Sequence, residues 1–245
     1  MPTTINTYNE SSLHNTLKTL YSVTKNGRTE VKLNGYIYDI ITDEDGIFEI
    51  QTKNLSKLLP KLMTTLEGGG KITVVYPIIA EKKVLLYDDD GNILSKRKSP
   101  KKQTIYSIFD ELTGIYPVLL NKNFTLEVLQ IKMIEERKRT SQPVQSSNKK
   151  RRFKHDWIKT NKKLEDIIET RQFKSADDYI KLLPADLPKS FCAKDVYKAF
   201  SDSKKYPAEA AKKAHLMLWV LSRMEVIEFT EIKDRSKYYK ITEGK

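Results

Sequence analysis

Cysteine and histidine are scarce in this chain, and long apolar runs are missing. Its 245 residues include one Cys and three His. Cys192 alone forms no internal disulfide and supports no cysteine-built zinc site. His14, His155 and His215 are too scattered to predict a metal cluster. No segment approaches the roughly 18 apolar residues of a membrane span, and residues 1–9 are polar, unlike a signal peptide. We therefore expect a cytoplasmic protein without a membrane segment.

Positive charge is abundant and unevenly distributed. The chain carries 44 Lys and Arg against 32 Asp and Glu, a net charge of +12. Residues 1–134 hold 17 and 15 of these, a balance of +2, whereas residues 135–245 hold 27 and 17, a balance of +10. This asymmetry predicts a nearly neutral domain joined to one that binds a polyanion such as DNA. The alternative is a basic surface that only maintains solubility.

Residues 135–155 mark the clearest change in composition. They are polar, contain Pro143 and several Ser, and end near the basic run from Lys149 to Arg152. This composition predicts a flexible linker between domains 1–134 and 156–245. The basic run is typical of either a nuclear-localisation signal or an arm that contacts phosphates, which makes Arg151 and Arg152 candidate DNA contacts.

The first domain has the hydrophobic patterning of a mixed α/β fold. We expect, in order, helix, strand, strand, helix and strand at 10–24, 30–42, 47–53, 55–66 and 71–79. Pro60 predicts a kink or a broken first turn in the second helix. Further on we expect a hairpin, a basic loop, a mostly helical stretch and a last strand at 83–94, 97–102, 105–120 and 124–133.

The first two strands carry the most informative polar residues. Asp39 lies near the end of the first strand, and Glu49, Gln51 and Lys53 occupy alternate positions of the second. Side chains alternate across a strand, so these three share one face. A hairpin turn at 43–46 brings Asp39 alongside them. Two carboxylates with a carbonyl and an ammonium form an oxygen-rich Mg²⁺ site suited to phosphodiester hydrolysis. The alternative is a solvent-facing strand with no chemistry.

The segment GYIYD ending at Asp39, nine further residues and then EIQTK resembles the active-site hairpin of the PD-(D/E)XK nuclease superfamily. The resemblance covers roughly residues 8–80, implies an αββαβ-type core, and makes Asp39 and Glu49 ligands of Mg²⁺ or Mn²⁺. It also suggests Glu10 as a further acidic residue on the first helix. Tyr38 replaces the usual Pro, and Gln51 replaces the usual Lys, a role that Lys53 could take over. If neither Gln51 nor Lys53 serves, the domain binds DNA without cutting it.

The basic loop RKSPKK is a second candidate DNA contact. Its cations crowd a turn around Pro100 and comprise Arg97, Lys98, Lys101 and Lys102. They are typical of a clamp on the phosphate backbone and equally of an ordinary charged surface turn.

The second domain reads as helices followed by a terminal hairpin. We expect helices at 157–173, 177–183, 193–200 and 208–224, then a β-hairpin with a basic tip. Residues 175–241 resemble a winged helix, a mainly helical DNA-binding domain. The resemblance places Lys204, Lys205, Lys212 and Lys213 around the start of the third helix, and Arg235 and Lys237 on the wing. A winged helix that binds protein is the alternative.

Together these features predict an α/β, restriction-endonuclease-like core followed by a winged helix. The predicted function is a Mg²⁺-dependent DNA endonuclease of restriction or host defence, in which the C-terminal domain selects the DNA. Two-strand cleavage would favour a homodimer. The architecture resembles that of modification-dependent restriction enzymes, whose zinc-binding cysteines are absent, so methyl specificity does not follow. The rival functions are a non-catalytic DNA-binding regulator with a degenerate nuclease fold, and a repair or recombination nuclease that acts on branched DNA.

Overall fold

A seven-stranded mixed sheet organises most of the chain. The computed structural model describes residues 12–145, 152–198, 200 and 207–242. The order across the sheet is β1-β2-β3-β4-β6-β7, and β5 pairs with the outer part of β4. Strand β4 is parallel to β3 and β6, and the other pairs are antiparallel. The strands are β1 (Arg28–Leu33), β2 (Tyr36–Ile41), β3 (Ile47–Ile50), β4 (Ile72–Tyr87), β5 (Ile93–Lys98), β6 (Phe124–Val144) and β7 (His155–Phe173).

Helices cover both faces of this sheet. On one face α1 (Ser12–Thr24) packs Leu13, Leu17 and Tyr21 against Phe48 and its neighbours. On the other face α2 (Leu59–Glu67) and α3 (Phe109–Leu112) belong to the larger hydrophobic cluster. A 3-10 turn at Leu55–Leu58 precedes α2, and Pro60 lies in the first turn of that helix, where its missing N–H costs nothing. The expected broken first turn is confirmed.

The C-terminal segment combines three helices with a second, three-stranded sheet. The helices are α4 (Ala176–Ile180), α5 (Ala193–Lys198) and α6 (Pro207–Arg223). The strands are β8 (Phe191–Cys192), β9 (Ile227–Lys233) and β10 (Ser236–Ile241), in the order β8-β10-β9. Its buried side chains, such as Leu221 and Ile227, join the same hydrophobic cluster as α2 and α3. The α/β class is thus confirmed, and the last described elements, β9 and β10, are strands.

The expected linker is wrong for residues 135–144, and so is the helix expected over 157–173. These segments form the end of β6 and nearly all of β7, which pair with each other from Leu126–Phe173 to Val144–His155. Opposite charges face each other across the pair, as in Lys132–Asp166 at 3.0 Å and Lys163–Glu136 at 2.8 Å. Such cross-strand pairs stabilise polar strands that have little apolar surface to bury.

Three elements expected in residues 1–134 differ in the structure. The strand expected over 30–42 is two strands, joined at Asn34 and Gly35, which both have positive φ and form the tight Asn-Gly turn of a hairpin. Arg97 and Lys98 lie within β5 rather than in a loop. Strand β3 ends at Ile50, three residues before the predicted end.

Candidate active site

Asp39 and Glu49 lie next to each other on β2 and β3. The antiparallel register pairs Ile40 with Phe48, so the next residue outward on each strand is one of the two carboxylic acids. The Asp39 N–H points to Glu49 Oε2 at 3.5 Å, and the Ile50 N–H donates to Asp39 Oδ2 at 2.8 Å. The two side chains are only 15% and 10% exposed. The structure therefore brings together the two residues predicted as metal ligands.

Basic side chains from two helices contact this carboxyl pair. The His14 ring on α1 places Nε2 3.5 Å from Asp39 Oδ2 and 2.9 Å from the Ile50 carbonyl oxygen. The Lys61 ammonium on α2 lies 2.6 Å from Glu49 Oε2 and donates to the Ile37 carbonyl at 2.6 Å. Because α1 and α2 cover opposite faces of the sheet, each carboxyl group takes its basic partner from a different face.

The two carboxyl groups have opposite pKa shifts. For Asp39, burial acts to raise the pKa, but the hydrogen bond and charge of His14, the Ile50 N–H and the charge of Lys18 together bring it below the usual range. For Glu49, burial and the negative charge of Asp39 raise the pKa to about 7, although Lys61 acts in the other direction. At neutral pH Asp39 is ionised, and Glu49 is close to the midpoint of its titration. Two neighbouring acids with separated pKa values are typical of a functional site.

Gln51 and Lys53 are not placed as the alternation predicted. The Gln51 N–H still donates to the Val75 carbonyl at 3.0 Å, but its side chain donates to the Asn54 carbonyl at 3.3 Å. Lys53 lies in a bend beyond the end of β3 and is exposed. The expectation that Lys53 shares a strand face with Glu49 is therefore wrong, because the strand has ended.

Sequence reasoning missed His14 and Lys61. Lys61 and Thr65 are buried among the core leucines of α2, so a polar residue at a core position was the available signal. His14 and Lys18 lie one turn apart on α1, beside the apolar stripe. Their distance in sequence from Asp39 and Glu49 concealed the contact, since it depends on how the helices dock on the sheet.

The predicted DNA contacts are spread over several surfaces. Exposed side chains occur on β5, in the loop that follows it, just before β7 and on the terminal hairpin, at Arg97, Lys98, Lys101, Lys102, Arg152, Arg235 and Lys237. On α6 the Lys212 ammonium pairs with Asp110 of α3 at 3.1 Å, and Lys213 is half-buried. Glu10, Arg151, Lys204 and Lys205 lie outside the described residues.

Comparison with known proteins gives a family and one relative. Residues 11–174 match the family described as "Domain of unknown function (DUF8091)". An uncharacterized protein of Treponema pallidum (strain Nichols) is 30% identical over 197 residues, which are 79% of this chain and 73% of that protein. No solved structure matches the chain. None of the helices in the described ranges is long and apolar enough to cross a membrane.

Proposed function

Because the chain belongs to the DUF8091 family, whose function is unknown, its activity has to be argued from the site, and we propose that it is a Mg²⁺-dependent DNA endonuclease. The observation that carries the proposal is the pair of buried carboxyl groups at Asp39 and Glu49, on neighbouring antiparallel strands. A fold alone does not assign an activity, so the proposal depends on the chemistry of these two carboxyl groups.

The order of elements around the site supports the resemblance to PD-(D/E)XK nucleases. Helix α1 is followed by three antiparallel strands, then α2, and then β4 parallel to β3. This agrees with the αββαβ-type core that the resemblance implies, with one additional hairpin strand. Asp39 on the middle strand and Glu49 on the next occupy the positions that the motif assigns to the acids.

The residues present fit Mg²⁺ better than a transition metal. In the described part of the chain, no group of three or more His, Cys, Asp and Glu side chains could hold a metal ion. Mg²⁺ keeps several waters and is commonly held by one or two carboxylates, so Asp39 and Glu49 are a sufficient protein set. Burial, and next the charge of Asp39, raise the pKa of Glu49, and a divalent cation would favour the ionised form of both carboxyl groups.

The chain's own residues would supply orientation and charge. A bound Mg²⁺ would lower the pKa of its water and offset negative charge on the phosphate. Lys61, rather than Lys53, places an ammonium at the carboxyl pair, 2.6 Å from Glu49. There it can stabilise developing negative charge on a substrate. His14 holds Asp39 in place through the contacts described above.

The C-terminal segment supports a DNA-selecting role. Its elements follow the order α4, β8, α5, α6, β9, β10, with β10 between β8 and β9, which agrees with a winged helix. The tip of its hairpin contains Arg235, and Lys237 follows on β10. Since Lys212 of α6 pairs with Asp110, we assign the first DNA contact to this wing rather than to α6.

One observation favours a second function, a DNA-binding protein that does not cut. Lys61 contacts Glu49 and His14 contacts Asp39, whereas the Gln51 side chain donates to the Asn54 carbonyl and Lys53 lies in the bend beyond β3. In this alternative the pair is a structural ion network.

A cleavage assay with matched variants separates the two functions. Purified protein is incubated with Mg²⁺ or Mn²⁺ and with methylated, unmethylated or branched DNA. Asp39→Asn should lose at least a hundredfold in cutting, while its DNA affinity in EDTA changes less than twofold. Asp43→Asn is the control, since Asp43 lies in the nearby loop that joins β2 to β3 and its side chain is 93% exposed. Cutting by Asp39→Asn at the parent rate would refute the assignment, and binding without cutting on every substrate would establish the second function.

A further inference from the structure

The large sheet extends well beyond the candidate active site as an arm. Strand β3 ends beside Val75, whereas β4 continues to Tyr87, paired with β6, and β6 in turn pairs with β7. We call this extension, at residues 79–98, 131–144 and 155–167, the arm. Strand β3 ends at Ile50, which pairs with Val75, so the arm continues the same strand, β4, that flanks the candidate active site.

A buried carboxylate on the arm is surrounded by cations. Glu135 of β6 is only 2% exposed. Its oxygens lie 2.5 Å from Arg137 Nη2, 2.9 Å from Lys159 Nζ and 3.5 Å from Lys82 Nζ. Lys162 is directly opposite Glu135 in the β6–β7 pair. Lys53, in the bend after β3, contributes a further positive charge that acts on Lys162. We call these residues the cation cluster: Lys53, Lys82, Arg137, Lys159 and Lys162.

The cation cluster has more positive charge than its carboxylate balances. Neither Lys53 nor Lys162 forms an ion pair with an acidic side chain among the described residues, although three other cations already share Glu135. Lys162 is half-buried. Burial, and next the charges of Lys159 and Lys53, lower the pKa of its ammonium. Five cations from separate segments thus share a single carboxylate.

We propose that the cation cluster binds a backbone phosphate of the DNA, with Lys53 and Lys162 as its direct contacts. This inference rests on the proposed function for the identity of the polyanion. Phosphate oxygens accept strong hydrogen bonds from ammonium groups, and an anion here would offset the repulsion among the lysines. Lys53 follows Glu49 by four residues, so their Cα atoms are at most about 14 Å apart.

The other cations of the cluster are already engaged. Arg137 donates from Nε and Nη2 to Glu135 Oε1, and its guanidinium lies 3.6 Å from the centre of the Trp157 ring. It therefore supports the cluster rather than contacting the ligand. Lys163, the neighbour of Lys162 in β7, pairs with Glu136 at 2.8 Å. Adjacent residues of a strand point to opposite faces, so Lys163 is a matched control with the same charge.

The test measures DNA binding without cleavage. A labelled duplex is titrated in EDTA at several salt concentrations, using the full chain with Lys162→Ala, Lys53→Ala and Lys163→Ala. Removing one phosphate contact should flatten the slope of log K against log salt by about 0.9. We expect Lys162→Ala to weaken binding about five- to tenfold and Lys53→Ala at least threefold, each with the flatter slope. Lys163→Ala should change affinity less than twofold, and Lys162→Arg should restore most of it.

The outcomes separate this inference from the nuclease proposal. Equal losses of DNA affinity in Lys162→Ala and Lys163→Ala would overturn the phosphate site even if the parent protein cuts DNA. An unchanged affinity in both Lys162→Ala and Lys53→Ala would overturn it as well. The expected pattern in a protein that never cuts would support the phosphate site and overturn only the nuclease. A parent protein that does not bind DNA overturns both. Lys53 lies outside the strands, so Lys53→Ala would still test the phosphate site if Lys162→Ala failed to fold.

Discussion

Neutralising Glu135 should destabilise the protein strongly at neutral pH and much less in acid. This buried carboxylate forms ion pairs with three cations, Arg137, Lys159 and Lys82. Without its charge the three cations would repel one another. Removing one member of a buried ion network is among the more costly single substitutions, because the remaining charges are no longer compensated.

The magnitude follows from the pKa of Glu135. Burial acts to raise it, but hydrogen bonds from Lys159 and Arg137, together with the charges of Lys159 and Lys82, lower it from 4.5 to about 2. Each pKa unit corresponds to about 1.36 kcal/mol, so ionised Glu135 contributes about 3 kcal/mol at pH 7. A lowered pKa gives stability that is present above pH 4.5 and is lost as the pH falls towards 2. Glu135→Gln should therefore cost about 3 kcal/mol at pH 7 and about 1 kcal/mol at pH 3.

The assay is urea denaturation followed by the fluorescence of Trp157, which stacks on Arg137 in the same cluster. Trp219→Phe removes the second tryptophan of the chain and leaves a single reporter. Asp166→Asn is the control, because Asp166 is 52% exposed and pairs only with Lys132 among the described residues, so its loss should cost below about 1 kcal/mol. A Glu135→Gln variant as stable as its parent at pH 7, or equally destabilised at pH 3 and pH 7, would refute the reasoning.

Three further predictions concern other parts of the fold, each measured as a free energy of unfolding in urea. Gly46→Ala should cost at least about 2 kcal/mol, because φ is +84° and the new Cβ would lie 2.7 Å from the Lys71 carbonyl oxygen; no loss would contradict this turn. Tyr38→Phe should cost about 1 kcal/mol by removing a buried 2.7 Å hydrogen bond, whereas Tyr179→Phe should gain about 1 kcal/mol, since that buried hydroxyl has no partner in the described ranges. The metal-free protein should lose about 2–3 kcal/mol between pH 5 and pH 8, because a pKa raised from 4.5 to about 7 gives stability that disappears as Glu49 ionises. Glu49→Gln should abolish that pH dependence, and an unchanged slope would contradict it.

The carboxyl pair could be predicted from sequence because local features determine it. The turn after β2 is closed by the Thr42 N–H, which donates to the Gly46 carbonyl at 2.9 Å, and Gly46 supplies the positive φ. Once the turn is placed, the period of two in each strand determines which residues are opposite. Asp39 and Glu49 therefore became neighbours in the prediction as they are in the structure.

The long strands β6 and β7 could not be recognised in the same way. Beyond Met133, β6 contains few apolar residues, and its polar end with Pro143 and Ser141 has the composition of a linker, whereas the spacing of apolar residues in β7 predicted a helix. Their pairing depends on charges that complement each other across strands, as in Lys159–Glu135 and Lys163–Glu136. Such complementarity is visible only when the register is known, and the register is a property of the folded sheet.

The basic partners of the carboxyl pair were hidden for a related reason. Lys61 and His14 reach Glu49 and Asp39 from helices on opposite faces of the sheet, and helix periodicity says which side of a helix is apolar but not where the helix docks. A buried lysine inside an apolar stripe was still a usable signal. It predicts a carboxylate or carbonyl partner, since an unpaired buried ammonium is too costly to keep.

Ion pairs within the arm also change what the net charge implies about a ligand. The excess of +10 in residues 135–245 suggested a polyanion-binding surface, yet several of the lysines concerned, including Lys159 and Lys163, are engaged in ion pairs within the arm. A count of cations therefore overstates the charge that faces a ligand. Lys162 is half-buried and forms no ion pair among the described residues, and the carboxylate opposite it, Glu135, is shared with three other cations, so the charge of Lys162 is one that an external phosphate can offset. For this reason a single substitution in β7 tests the charge argument more sharply than deletion of the whole basic half would.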